Sequence, residues 1–246
     1  MRINKFLSEM GVCSRREADR MLEEGRLRIE GKIAKLGDRL SPGQKLYLGE
    51  RCIGSLEDIE RVKPLLLAVN KPRGIVCTSS DKDRAPNIVE MLSCPSRVYP
   101  VGRLDKDSEG LIFMTNQGEL VNALMKASNF HEKEYLVSVD KEIEKDFIEK
   151  MSRGVFLREL EVKTRACRVY QKGKTSFRII LTQGLNRQIR RMCGELGYRV
   201  LSLKRIRIMN IRLGDLPPGA YRELGRKEKE QLYRELGIKE EDCGRG

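Results

Sequence analysis

What constrains this chain most is the irregular succession of its short apolar runs. Strand-like segments at 65–70, 74–78, 97–101, 111–115, 134–140, 161–170 and 175–182 follow Pro64. Between them lie helical stretches marked by Leu120 and Leu124, by Ile143, Phe147 and Met151, and by Ile189, Met192, Cys193 and Leu196. Some connections are turns and others are helices, which excludes regular βαβ repeats and predicts a mixed, mostly antiparallel sheet in an α+β protein. The longest uninterrupted apolar stretch, 65–69, is far short of the ~20 residues that cross a bilayer. The amino terminus is charged again by Glu9, before a secretion signal could form. A cytoplasmic protein without a membrane partner is expected.

A small α/β module precedes that sheet. Ile3, Phe6, Leu7 and Met10 recur at helical spacing until Gly11, and Ser14 with Glu17 has the form of a capping box opening a second helix. Ala18, Met21 and Leu22 supply that helix's apolar face and Gly25 its stop. Leu27 and Ile29 then alternate with charged residues up to a turn at Gly31. The chain divides into this module (1–48), a charged linker (49–63), a large domain (64–224) and a tail (225–246) with a helical pattern at Leu232 and Leu236.

Lysine and arginine number 49 against 36 aspartates and glutamates, and the net charge of +13 calls for a polyanionic partner, nucleic acid first. The tail is balanced, whereas 178–212 holds nine basic side chains against the single acid Glu195. In the module, Arg2, Lys5, Arg15, Arg16 and Arg20 lie around helix ends, where phosphates can meet both guanidinium groups and backbone amides. Aromatic residues are only 5% and tryptophan is absent, so a folded stem-loop suits the surface better than a stacked single strand. Seven cysteines without a C-x-x-C pair, and one histidine, His131, argue against a disulfide framework or a zinc cluster. Catalysis therefore falls to carboxylates, tyrosines and arginines, with no metal or cofactor expected.

The loop 102–110 carries Asp105, Asp107 and Glu109, but Arg103 and Lys106 interleave with them, which disfavours a cation site. Read alone, Asp105 is first a turn or capping residue and Tyr135 first a strand-packing residue. On a helix with the stripe 189, 192, 193 and 196, Arg190 lies about 110° from the stripe's centre, and Arg187 and Arg191 about 170° and 150°. Arg190 flanks the core, and the other two face outward toward phosphates.

Arg2-Ile-Asn-Lys-Phe-Leu, Gly11-x-Cys-Ser-Arg-Arg-Glu-Ala, Gly31 and Pro42-Gly43 resemble the S4 RNA-binding domain. The run Val101-Gly-Arg-Leu-Asp-x-x-Ser-Glu-Gly-Leu111, then His131-Glu-Lys-Glu-Tyr135, then 183–192 resemble, in order, the three motifs of the RsuA/RluB/RluE/RluF family of ribosomal RNA pseudouridine synthases. The resemblance covers roughly 1–224 and is strongest to the RluF type; Leu185 departs from the basic residue of many members.

It implies that Asp105 acts as nucleophile or base, that Arg190 is its ion-pair partner, and that Tyr135 stacks on the target base. Arg103 would occupy the place of a flipped base. Leu104, Lys106, Asn186, Arg187, Gln188 and Arg191 would contact RNA, and Lys71 would support the pocket. Burial disfavours an ionised carboxylate and a close guanidinium restores it, so the chemistry asks for such a pair. The implied reaction isomerises a uridine in a 23S ribosomal RNA stem-loop, on a monomer. Small-subunit RNA or tRNA as substrate, and a noncatalytic ribosome-assembly protein, remain as alternatives.

Overall fold

The structure, a computed structural model, describes residues 1–77, 86–126 and 130–238. In the amino-terminal module, α1 (Ile3–Glu9) and α2 (Arg15–Glu23) bury Ile3, Phe6, Leu7, Ala18 and Leu22 in one core. The Ser14 hydroxyl accepts the Glu17 N–H at 3.1 Å, as the capping pattern predicts. The Glu17 carboxylate does not close the box; it turns to Arg20 at 2.5 Å. β1 (Leu27–Ile29) and β2 (Lys32–Ile33) form a hairpin whose two turn residues, Glu30 and Gly31, both have positive φ, the geometry that matches strand twist. β3 (Leu46–Leu48) pairs with β1 on its other side. β4 (Arg51–Gly54) then pairs with β3 across Gly49 and Glu50, so part of the segment read as linker completes a four-stranded sheet of order β2-β1-β3-β4. Its side chains stay partly or fully exposed, so it carries no apolar alternation to betray it.

The larger domain comprises β5 (Leu66–Lys71), α3 (Ile88–Leu92), β6 (Tyr99–Val101), β7 (Glu109–Thr115), α4 (Gly118–Met125) and β8 (Lys133–Val139). It continues through α5 (Lys145–Ser152), β9 (Phe156–Leu157), β10 (Val162–Lys163), β11 (Arg168–Gly173), β12 (Ser176–Leu181) and α6 (Gln188–Glu195). It closes with β13 (Val200–Ile208), β14 (Ile211–Arg212), β15 (Tyr221–Glu223) and α7 (Arg226–Leu236). The main sheet runs β11-β12-β8-β13-β7-β5-β15, with β14 on β13 and β6 on β7. Among the described strand pairings of this sheet only β13–β7 is parallel, which gives the mixed, mostly antiparallel sheet expected.

The segment 161–170 is two strands, β10 and β11, rather than one. The 74–78 segment contributes an isolated bridge, Val76 to Asn87, and Thr78 lies outside the described residues, as does 239–246 of the tail.

Helices cover both sheet faces. Along β5, Leu67 and Val69 join α5 and α6 on one side, while Leu66 and Ala68 join α4 and α7 on the other. This two-sided burial explains why β5 and β7 are continuous apolar runs. Phe147 of α5 packs edge-on against Phe177 and Tyr198, at 5.2 and 4.5 Å between ring centres. Lys5 reaches Glu119 of α4 at 3.0 Å and Arg97 donates to the Cys13 carbonyl, joining module and domain.

Candidate active site

A cleft of about 680 Å³ opens over the centre of the main sheet, between the 102–108 loop, β8, β13 and the 182–189 turn. Asp105 sits on its rim. The chain turns there, with Ser108 donating to the Asp105 carbonyl at 3.0 Å, and the loop is held from outside by Gly74, which donates to the Lys106 carbonyl at 2.7 Å. Lys71 braces the segment that carries Gly74. Fully buried, it donates to the carbonyls of Pro72 and Ile75 at 2.8 and 2.9 Å, and burial lowers its pKa. The Leu104 N–H meets the Cys77 sulfur at 3.4 Å, so the motif residue beside the aspartate is anchored in the core.

The glycine ending this motif has a steric reason. Gly110 has a φ of +105°, and a Cβ there would lie 2.2 Å from the Arg205 carbonyl oxygen. Only glycine lets β7 approach β13 this closely.

Tyr135 lines the cleft from β8 and is 9% exposed. Arg103 and Lys106 are exposed on the loop, and Asn186 and Arg187 on the facing turn. The guanidinium within reach of Asp105 belongs to Arg187, at 4.0 Å. Arg190, expected as the partner, instead holds Asp107: its Nη2 lies 3.2 Å from the carboxylate and 3.1 Å from the carbonyl. Its Nη1 donates to the Val200 carbonyl at 3.2 Å. The reason is geometric. Arg187 precedes α6 in a left-handed conformation, φ +50°, which takes it off the helical wheel assumed for it. Asp107 thus sits between two arginines; burial raises its pKa, but Arg190 and Arg187 outweigh that and hold it below the usual carboxylate range.

Other expected RNA contacts are differently employed. Gln188 is 5% exposed and its side chain ties the turn through the Leu185 N–H at 3.1 Å, and Leu104 is likewise buried. Arg191 is paired with Glu159, Lys5 with Glu9 and Glu119, and Arg20 with Glu17 and Glu24. Arg2, Arg15 and Arg16 are exposed. Lys133 and Arg205 are among the cleft residues that escaped the sequence reading. The first lies two residues before Tyr135, on the same strand face, and the second lies opposite Tyr135 in the β13–β8 register.

Among the described residues no group of histidine, cysteine, aspartate and glutamate is arranged to hold a metal ion, and no helix is long and apolar enough to cross a membrane. A half-buried carboxylate beside a guanidinium, at the mouth of a cleft floored by a tyrosine and two cations, can attack or deprotonate a sugar while binding an electron-rich base.

Comparison with known proteins agrees. Residues 65–195 match the family described as RNA pseudouridylate synthase, and residues 1–46 match the S4 domain. The chain is 49% identical to the dual-specificity RNA pseudouridine synthase RluF of Escherichia coli (strain K12), over 95% of this chain and 79% of that protein. It is 37% identical to ribosomal large subunit pseudouridine synthase B of Yersinia pestis, over 96% and 76%. A crystal structure of a pseudouridylate synthase superposes with a TM-score of 0.68 at 26% identity, covering 94% of this chain and 99% of that one. With its synthase match spanning more than half its length and an S4 domain ahead of it, this chain belongs to the RNA pseudouridylate synthase family.

Proposed function

We propose that this enzyme converts one uridine to pseudouridine in ribosomal RNA, in a stem-loop of the large-subunit 23S RNA, acting as a monomer in the cytoplasm. The observation that carries the site assignment is Asp105 in the 680 Å³ cleft, with Arg187 at 4.0 Å and the buried Tyr135 lining the same cleft. In this reading the target nucleotide is turned out of its stem, at a cost of a few kcal/mol, and Arg103 on the exposed loop fills the gap.

Asp105 then attacks C1′ or removes the C2′ proton, and the C1′–N1 bond breaks with its electron pair left on the uracil. The ring rotates under Tyr135 and C5 bonds to C1′ as the Asp105–C1′ bond breaks or, on the other route, as Asp105 returns the proton to C2′; the C5 proton is lost and N1 gains one, so the product is an isomer of the substrate. Arg190 serves by holding the Asp107 end of the loop. The exposed Arg2, Arg15, Arg16, Lys106, Asn186 and Arg187 supply the phosphate contacts.

Large-subunit RNA is supported by the 37% identity to a protein named for that subunit. The dual specificity in the name of the Escherichia coli relative supports a second RNA substrate, for which a tRNA stem-loop is the candidate. Asp105→Asn is expected to bind unmodified transcripts as wild type does and to form no pseudouridine by carbodiimide mapping and primer extension. Full turnover by that variant ends the assignment, and mapping on 23S and tRNA transcripts side by side separates the two substrates.

A further inference from the structure

The cleft holds a charge that no carboxylate among the described residues answers. Arg205 is 4% exposed and lines the cleft beside Tyr135. Its Nε donates to the Leu111 carbonyl at 2.6 Å, yet its buried Nη2 has no hydrogen-bond partner. No carboxylate among the described residues lies within ion-pair distance of it. The contrast with its neighbours is sharp: Arg207 takes Glu134 at 2.7 Å and Glu132 at 3.0 Å, and Arg190 takes Asp107.

The strand is built to present this side chain. The β13–β8 register slips between Arg205 and Arg207, and such a bulge re-aims the residue beside it. Gly110 lets β7 come close enough for the Leu111 carbonyl to fix the guanidinium. Lys133, also lining the cleft, adds a second cation without a carboxylate partner among the described residues, and burial followed by the charge of Arg205 lowers its pKa. A buried donor without an acceptor is destabilising, so its retention asks for a ligand that completes it.

We propose that Arg205, with Lys133 beside it, binds the uracil ring of the substrate through a carbonyl oxygen and holds the negative charge that the base acquires when its bond to the sugar breaks. This rests on the pseudouridine-forming reading above, and it holds for either role of Asp105, because in both the C1′–N1 electron pair passes to N1 and is shared with O2 and O4. A donor aimed at developing charge in a water-poor site acts mainly on the transition state. Arg205 is then a catalytic residue for the leaving group, as Asp105 is for the sugar.

The test uses full-length Arg205→Met and Arg205→Lys, in single-turnover reactions on one RNA stem-loop carrying either uridine or 5-fluorouridine at the target. Fluorine makes the base a better leaving group, less in need of outside help, and bond cleavage is read as loss of the free 5-fluorouridine nucleoside on digestion. Arg205→Met is expected to slow the uridine reaction by about 100-fold or more with RNA affinity within about twofold. The 5-fluorouridine reaction is expected to slow at least about tenfold less, and Arg205→Lys to fall between. Equal slowing on both RNAs, a loss confined to affinity, or no slowing overturns the proposal. If Arg205→Met does not fold, by circular dichroism, the lysine variant decides by the same ratio. A wild-type enzyme inactive on every RNA offered refutes the broader functional reading instead, so the two failures are distinct.

Discussion

Replacing Gly110 by alanine tests whether the meeting of β7 and β13 holds both the fold and the site. The new Cβ would lie 2.2 Å from the Arg205 carbonyl oxygen, 2.8 Å from its nitrogen and 3.0 Å from its carbonyl carbon. All three are backbone atoms, so β13 must withdraw by more than about 1 Å to reach ordinary contact. The φ of +105° adds strain of order 1–3 kcal/mol for any residue with a Cβ. Withdrawal also strains the parallel pairing of Arg205 with Gly110 and the buried bond from Arg205 to Leu111, the latter worth about 1.5–3 kcal/mol because its donor is charged. Together these give a loss of about 3–5 kcal/mol, a large part of the ~5–15 kcal/mol that holds a protein folded.

For a chain of this size that lowers the melting temperature by about 6–20 °C, read by circular dichroism. Gly194→Ala is the control. Gly194 lies in α6 with no positive φ and with nothing within 4 Å of where a Cβ would stand, so alanine there is expected to add about 0.5–1 kcal/mol. A Gly110→Ala protein melting within about 2 °C of wild type refutes the close-approach reasoning.

Three further outcomes are expected. Because its arginines hold Asp107 below the usual range, its contribution is complete above the unfolded carboxylate value near ~3.9 and lost as pH falls through the lower folded value. Asp107→Asn should therefore cost up to ~1 kcal/mol at pH 7, its 40% exposure screening the pairs, and nothing by about pH 2; a urea-midpoint difference unchanged between these pH values contradicts it. Replacing exposed Arg15 and Arg16 by glutamine should reduce the slope of log Kd against log salt for RNA by about 2, and an unaltered slope removes them from the phosphate contacts. In alkylation mapped by mass spectrometry, exposed Cys52 should react at pH 8 in the native protein. Cys193, fully buried and with its thiol pushed up to about 12 by burial, should react only on unfolding; native labelling of Cys193 would show the α6 core to be open.

Local chemistry wrote much of this molecule into the sequence. The faces of α1 and α2, the Ser14 cap, the Gly31 hairpin and the apolar strands β5 and β7 follow from spacing, amides and turn residues within a few positions of one another, and all were legible in the amino-acid order alone. So was the loop bearing Asp105 between two strands. The strand β13 was not. At nine residues it is the longest of the described strands, but Lys204, Arg205 and Arg207 break its apolar pattern, because what holds its two arginines lies far away in the chain. Glu134 neutralises Arg207 across 73 positions, and Leu111 fixes Arg205 across 94.

Tertiary structure alone also decided which arginine faces which aspartate. A helical wheel assumes that Arg187 is helical, whereas its left-handed backbone sets it between Asp107, at 3.4 Å, and Asp105, at 4.0 Å, while Arg190 meets Asp107 alone. Periodicity reports which side of an element is buried. It carries no information about the distance between two side chains on different elements, and through-space distance is what sets an ion pair, completes or orphans a buried donor, and so shapes the chemistry of the cleft.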